Sequence, residues 1–202
     1  MKRFFLLQWI FLISLFSLFI TSLAAATANQ QSTSGGNDTY QYPDGSRYYG
    51  QSKQAQREGY GSFVWNDGTS YFGQWENDKI NGNGTLNYPN GETFIGTFKM
   101  GTMQNGSIVQ RQGDATYFVQ VQQGVVLPGS LVIKMADGTT YMGSFTGNEL
   151  TGNGMVMYPN HDIYSGSVQR GMKEGYGTYY FTNTGKELHG IWEKDHWTRE
   201  SP

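Results

Sequence analysis

A three-residue phrase, a large apolar residue, a variable residue and a glycine, returns six times in this 202-residue chain. It stands at Tyr48-Tyr49-Gly50, Tyr71-Phe72-Gly73, Phe94-Ile95-Gly96, Tyr141-Met142-Gly143, Tyr164-Ser165-Gly166 and Leu188-His189-Gly190. The glycines are 23 residues apart, except for a last step of 24 and one gap of 47 that has room for two units. A second beat follows nine residues after the glycine: Gly59-Tyr60-Gly61, Gly82-Asn83-Gly84, Gly152-Asn153-Gly154 and Gly175-Tyr176-Gly177. Self-similarity at a period of about 20–50 residues marks a repeat architecture, in which each unit buries its apolar face against its neighbours. Such an array supplies surface rather than a catalytic cavity.

Within one unit the pattern is that of strands. Tyr71, Gly73 and Trp75 stand at i, i+2 and i+4, on one face of an extended chain, and so do Gly84, Leu86 and Tyr88. Between them Glu76-Asn77-Asp78-Lys79-Ile80-Asn81-Gly82 reads as a polar hairpin loop. Pro89-Asn90-Gly91 closes the unit, with Asn-Gly suited to the positive φ angles of a tight turn. Its counterparts are Pro43-Asp44-Gly45, Asn66-Asp67-Gly68 and Ala136-Asp137-Gly138. Connections this short make consecutive strands antiparallel neighbours. A glycine inside a strand weakens it and is used where a ring or backbone approaches closely. The expectation is therefore that Gly50, Gly73, Gly96, Gly143 and Gly166 each lie under a ring from the neighbouring hairpin. The Gly-x-Gly beats are followed by neither a helix nor Gly-Lys-Ser/Thr, which excludes a phosphate loop. The apolar partners of these glycines, Tyr48, Tyr71, Trp75, Phe94, Phe98, Tyr141, Phe145, Tyr164 and Trp192, form the expected core.

Composition supports an all-β chain. It holds 28 glycines, roughly twice the usual share of about 7%, with 14 tyrosines, 12 phenylalanines and five prolines. Cysteine is absent, which excludes disulfides, thiolate catalysis and cysteine-based metal centres. The formal charge of −2 argues against a nucleic-acid partner. The three histidines, His161, His189 and His196, have no metal-ligand spacing, and no Ser/His/Asp set can be argued from the chain. No cofactor, metal or catalytic residue is expected.

The N-terminus addresses the compartment. Met1-Lys2-Arg3 precedes an apolar stretch from Phe4 to Leu23 and the small residues Ala24-Ala25-Ala26-Thr27-Ala28. Residues 1–28 read as a secretory signal with cleavage before Asn29, or as an uncleaved anchor helix; in both cases the repeats lie on the non-cytoplasmic side, secreted, periplasmic or membrane-anchored. Residues 29–39 read as a flexible linker, 40–197 as the repeat domain and 198–202 as a tail. Asn37, Asn83 and Asn105 each stand in a glycosylation acceptor.

Tyr-x-Gly-x-Trp, a polar loop, Gly-x-Gly and an aromatic strand together resemble the MORN (membrane occupation and recognition nexus) repeat. Tyr71-Phe72-Gly73-Gln74-Trp75 with Gly82-Asn83-Gly84 carries the resemblance best, followed by Tyr141-Met142-Gly143-Ser144-Phe145 with Gly152-Asn153-Gly154. It covers residues 40 to 192. The resemblance implies an elongated, twisted, single-layer antiparallel sheet of β-hairpins, with roles in scaffolding, protein association and membrane association. In members that are enzymes the catalytic domain is separate, and no residues are left here to build one.

Residues 106–129 depart from the pattern. Tyr117, Val119 and Val121 on the inner face keep the aromatic-small-apolar order, whereas a slip by one would bury Phe118, Gln120 and Gln122. The first phase is expected, with an insertion near Val125-Val126-Leu127-Pro128 and a bend where Val119 replaces glycine. Both ends are atypical too: Gln51-Ser52 stands where Trp75 recurs, and the polar run after Trp192 reads as a turn or short helix.

Three function classes follow. The first is a non-enzymatic interaction or assembly scaffold with protein partners, a homodimer included. The second is a peripheral lipid-binding module, for which the cations Lys53, Arg57, Lys79 and Lys173 must gather at one edge despite Glu58, Asp78 and Glu174 beside them. The third, a glycan or peptide groove, requires the inner aromatics to be open to solvent.

Overall fold

The computed structural model describes residues 29–32, 37–127, 129–146 and 149–200. The signal or anchor expected over 1–28 lies outside the described residues, as do positions 33–36 of the expected linker. Every regular element among the described residues is a strand, and no described helix is long and apolar enough to cross a membrane.

The chain forms two compact units. The first runs to Gln110 and includes Gln120–Val125. It contains β1 (Asn29–Ser32), β2 (Asp38–Gln41), β3 (Arg47–Lys53), β4 (Gln56–Val64), β5 (Ser70–Glu76), β6 (Lys79–Asn87), β7 (Glu92–Lys99) and most of β8 (Thr102–Gln112). Each pairs antiparallel with the next, so sequence order is spatial order. The second unit comprises Arg111–Val119 and the chain from Val126 onward. There the first part of β9 (Ala115–Gln122) pairs with β11 (Val132–Met135), beyond the two-residue β10 (Val125–Val126). Then follow β12 (Thr140–Thr146), β13 (Glu149–Met157), β14 (Ile163–Gln169), β15 (Met172–Phe181), β16 (Lys186–Glu193) and β17 (His196–Arg199), again antiparallel in order.

Register shows what the two glycine beats do for one another. In the first unit Gly50, Gly61, Gly73, Gly84, Gly96 and Gly106 stand directly opposite one another on successive strands. Gly143, Gly154, Gly166, Gly177 and Gly190 do the same in the second. Over the pairs Gly50–Gly61, Gly73–Gly84, Gly96–Gly106 and Gly166–Gly177 the ring (Tyr48, Tyr71, Phe94, Tyr164) comes from the same strand as the first glycine, two residues upstream, not from the neighbouring hairpin. Gly143 and Gly154 meet only backbone, and Gly190 meets Arg199 O and Trp197 Nε1. A methyl group on Gly61 would lie 2.4 Å from the Tyr48 hydroxyl, one on Gly84 2.3 Å from that of Tyr71, and one on Gly177 2.2 Å from that of Tyr164. The side chain runs forward along its own strand, and its hydroxyl donates to Gln51 O at 2.5 Å, Gln74 O at 3.1 Å and Ser167 O at 2.8 Å respectively.

The turns are distributed otherwise than the sequence suggests. The expected loop Glu76–Gly82 shrinks to Asn77-Asp78, both with positive φ (48° and 65°), while Lys79 through Asn87 is strand. Gln54-Ala55, Met100-Gly101, Gln123-Gly124, Arg170-Gly171 and Lys194-Asp195 repeat this two-residue turn, whose twist matches that of the flanking strands. At the opposite end, Gly91 alone has positive φ, and its N–H bonds Tyr88 O while Tyr88 N–H bonds Glu92 O. The residue before the positive-φ position fastens each such turn: Asp44, Asp67, Asn90, Asp137 and Asn160 each accept the backbone N–H two residues on. His161 occupies the slot of Gly91, with φ 68°.

Among the described residues, strands continue beyond the six repeat phrases on either side. Asn29–Ser32, in the segment read as linker, pairs with Asp38–Gln41. The run after Trp192 forms a turn and the strand β17 rather than a helix, and Trp197 Nε1 donates to His189 O at 3.0 Å. In the irregular unit Tyr117, Val119 and Val121 are buried while Gln120 and Gln122 are exposed, which is the expected phase. The boundaries between the two units fall inside it.

Candidate interaction surface

One face of the first unit is a closed ladder of rings. Tyr48 and Tyr71 each meet Trp75 edge-on, at centroid distances of 5.5 and 5.4 Å. Phe98 meets Tyr71 at 5.3 Å and Phe94 at 5.1 Å in the same geometry. Edge-to-face contacts of this kind contribute beyond the area they bury. All five rings are buried, and Trp75 Nε1 reaches Gly61 O at 3.2 Å. The second unit repeats the device: Tyr164 meets Trp192 at 5.4 Å, and Trp192 Nε1 reaches Gly177 O at 3.2 Å. Tyr141 packs half-buried against that cluster. The inner rings are core, so the solvent-open aromatic groove that the third function class requires is not formed by Tyr48, Tyr71, Trp75, Phe94, Phe98 or Tyr164. The side chain of Phe145 lies outside the described residues.

Two of the four cations expected at a lipid-facing edge belong to this core. The Arg57 guanidinium is buried, 4.5 Å from the Trp75 centroid and 5.0 Å from that of Phe63. Its Nε donates to Asp78 Oδ1 at 3.0 Å and a terminal nitrogen to Asp78 O at 2.9 Å. Lys173 stands in the same repeat position, its Nζ 5.1–5.9 Å from the ring centroids of Tyr158, Tyr164, Tyr179 and Trp192. That Nζ donates to the Tyr158 hydroxyl at 3.1 Å and lies 3.4 Å from Asp195 Oδ1. In each case the aspartate belongs to the next two-residue turn and also accepts the backbone N–H of Arg57 or Lys173. The sequence holds a signal for this: a cation two residues before Gly59 or Gly175, answered by an aspartate 21 or 22 residues later. Neutralised and covered by rings, these two side chains offer little to an anionic membrane surface.

Buried acids follow the other turns. Asp162 accepts from the Tyr179 hydroxyl at 3.0 Å, Asn160 Nδ2 at 2.8 Å and Thr182 N at 2.9 Å. Burial and this hydrogen bond push the Tyr179 phenol up to about 12. Glu92 is the equivalent acid in the first unit, and burial pushes its carboxyl above the ordinary 4.5. A raised folded value means the fold favours the neutral acid. Its contribution is fully present below pH 4.5 and is lost as pH rises through the raised value. Glu92→Gln, neutral at every pH, is therefore expected to melt higher than the parent near pH 7. The gap should close as the pH falls below 4.5, in a series of thermal melts by circular dichroism. A gap unchanged with pH would show that the Glu92 carboxyl carries no such linkage.

The opposite face of the first unit is open. Tyr49, Tyr60, Phe72 and Ile95 are 54%, 55%, 62% and 52% exposed. Tyr49, Phe72 and Ile95 are the variable middle residues of the repeat phrase, which the sequence leaves without a role. Register lines them up: Tyr49 opposite Ser62, Ser62 opposite Phe72, Phe72 opposite Thr85, Thr85 opposite Ile95, Ile95 opposite Ser107. In the second unit the same row reads Met142, Met155, Ser165, Thr178, His189. His189 is exposed there, with Nδ1 2.9 Å from Thr178 Oγ1 and Nε2 2.8 Å from Glu187 Oε2. Several large apolar side chains held in one row in solvent make this face the candidate interaction surface.

Comparison with known proteins bears on the fold. The MORN repeat family is matched at residues 48–70, 71–93, 141–163 and 164–186. No curated protein sequence matches the chain. Among solved structures, the TCP domain of SAS-4 (dCPAP) from Drosophila melanogaster, in complex with a proline-rich motif of Ana2 (dSTIL), matches with a TM-score of 0.50 at 10% identity, covering 85% of this chain and 94% of that one. The TCP10c domain of Drosophila melanogaster Sas-4 matches at 15% identity with a TM-score of 0.37, over 70% of this chain and 99% of that one. The TCP10 domain of Danio rerio CPAP, with a peptide of Danio rerio STIL, matches at 13% identity with a TM-score of 0.25, over 82% and 100%. The first of these shares the hairpin-sheet fold.

Proposed function

The chain is a MORN-repeat protein, and from that premise we propose that it is a non-enzymatic scaffold that binds protein partners on the non-cytoplasmic side of a membrane. The observation that carries the reading is the outer row of the first unit, Tyr49, Phe72 and Ile95, exposed on strands whose other face is a packed ring ladder. A rigid sheet presents such side chains in fixed positions, which lowers the ordering cost of binding. The SAS-4 TCP domain, of similar fold, is bound to a proline-rich motif of another protein, which accords with a protein partner here. The export assignment is supported by the charged start and apolar stretch of residues 1–28.

The test is affinity capture from the native host with the full chain, beside a Phe72→Glu, Ile95→Glu double variant. Both should melt at similar temperatures, since the two side chains are exposed. A partner, a second copy of the chain included, retained by the parent and lost by the variant supports the scaffold. Identical retention by the two would remove this face from the function.

A further inference from the structure

The spacing of the outer row points to the kind of chain it takes. Large side chains on β3, β5 and β7 (Tyr49, Phe72, Ile95) alternate with half-buried small hydroxyls on β4 and β6 (Ser62, Thr85). The result is a series of ridges separated by troughs. Neighbouring strands are about 4.8 Å apart, so ridge follows ridge at about 9.6 Å. A polyproline II helix presents the same edge every three residues, or about 9.3 Å. A β-strand repeats its face at about 6.7 Å and an α-helix its turn at about 5.4 Å, and neither keeps step with the ridges.

Charge narrows the partner further. The outward rows on either side, Val64, Ser70, Asn87, Thr93 and Val109, and Tyr60, Gln74, Asn83 and Thr97, carry no charged side chain. The one charge in register with these rows is Arg47, exposed at the β3 end opposite Val64; the exposed Glu76 and Lys99 lie one row further out, beyond Gln74 and Thr97. A charged residue of the partner over the middle of the row would lose water without gaining a counterion. A carboxylate at the β3 end would gain one.

Resting on the scaffold reading above, we propose that the outer face of the first unit binds a proline-rich segment in the polyproline II conformation. The segment runs across the strands, its prolines at i and i+3 seated over Ser62 and Thr85 between Tyr49, Phe72 and Ile95, with an acidic residue at the β3 end against Arg47. Proline suits the troughs because it is apolar and arrives with its backbone already ordered, as in other aromatic-lined polyproline sites.

The experiment is fluorescence polarisation of the full chain with a labelled peptide of four Pro-Pro-Ala repeats carrying one terminal aspartate. Controls are the same peptide with every proline replaced by glycine, and one without the aspartate. The parent should bind the proline peptide, and Phe72→Ser should weaken binding about tenfold or more. Arg47→Ala should cancel the advantage of the aspartate, while Tyr176→Ser in the second unit should change nothing. Thermal melts check that each variant folds. Equal binding of the glycine peptide, or no effect of Phe72→Ser, would overturn the proposal. So would a dimer seen by light scattering that Phe72→Ser dissolves, because a second copy would then occupy the face. If no proline peptide binds but the double variant of the preceding section still loses a partner, this inference falls and the scaffold stands. If both fail, the face has no binding role.

Discussion

Gly84→Ala is expected to lower the melting temperature of this protein by roughly 10 °C. The added methyl would lie 2.3 Å from the Tyr71 hydroxyl and 2.4 and 2.5 Å from two of its ring carbons. Tyr71 cannot withdraw. It is 1% exposed, held edge-on between Trp75 and Phe98, and its hydroxyl is bonded to Gln74 O. Forcing a core ring aside costs typically about 1–3 kcal/mol and at times more, and here the register of two strands depends on the same contact. A cost of about 3–4 kcal/mol, at about 2–4 °C per kcal/mol for a chain of this size, gives the stated shift. Gly73→Ala should be at least as severe, because its methyl would meet backbone, Asn83 O and Gly84 Cα, both at 2.5 Å. Thr85→Ala, next in sequence and on the other face, is the control and should melt within about 2 °C of the parent. A Gly84→Ala protein with the melting point of that control would mean that the ring does not hold the strands together. Tyr71→Ala is itself destabilising, but in that background Gly84→Ala should add little further loss, since the two sites act through one contact.

The second large effect is expected at Asp78. Its Oδ1 accepts from Arg57 Nε and from the Arg57 backbone N–H, and its carbonyl accepts from the guanidinium. The arginine is 5% exposed under Trp75 and Phe63. Removing one partner of a buried ion pair leaves an uncompensated charge, at about 3–5 kcal/mol. Asp78 is itself partly exposed, with 34% of its side chain accessible, so water reaches the vacated site and the lower figure applies. Asp78→Ala should therefore destabilise by about 3 kcal/mol in urea melts. Asp78→Asn should lie between, because an amide oxygen still bonds the backbone N–H and asparagine tolerates the φ of 65°. Adding Arg57→Met to Asp78→Asn should recover stability, as no buried charge is then left. If the double variant is no more stable than Asp78→Asn alone, the buried charge is not the source of the loss. The matching pair in the second unit, Lys173 with Asp195, is longer at 3.4 Å and its aspartate more open, and Asp195→Ala should cost less.

The repeat period, the all-β class, the antiparallel order and the inward placing of Tyr48, Tyr71, Trp75, Phe94 and Tyr164 could all be read from the chain. These depend on alternation along a strand and on short connections, which are local. The phase of the irregular unit was legible for the same reason: only one of the two parities keeps Gln120 and Gln122 in water. The turns were misplaced because Asn-Gly and Asn-Asp both favour positive φ. Composition cannot say which pair carries two such residues and which carries one. The loop cations misled for a related reason, since a charged residue in a polar run looks solvated until the partner 21 residues away is known.

What the chain carried alone is periodicity: strands, their order, and which side chains share a face. Three features arose only once the strands were paired. Register set glycine against glycine and brought Gly84 under Tyr71. Burial by neighbouring rings turned Arg57 and Lys173 from surface cations into core. Alignment across strands collected Tyr49, Phe72 and Ile95, each an unremarkable variable residue in its own repeat, into a single exposed row. The physical reason is common to all three. These contacts join residues on different strands, made by hydrogen-bonded pairing and packing, and a strand's own pattern specifies which face a residue takes but not what lies opposite it.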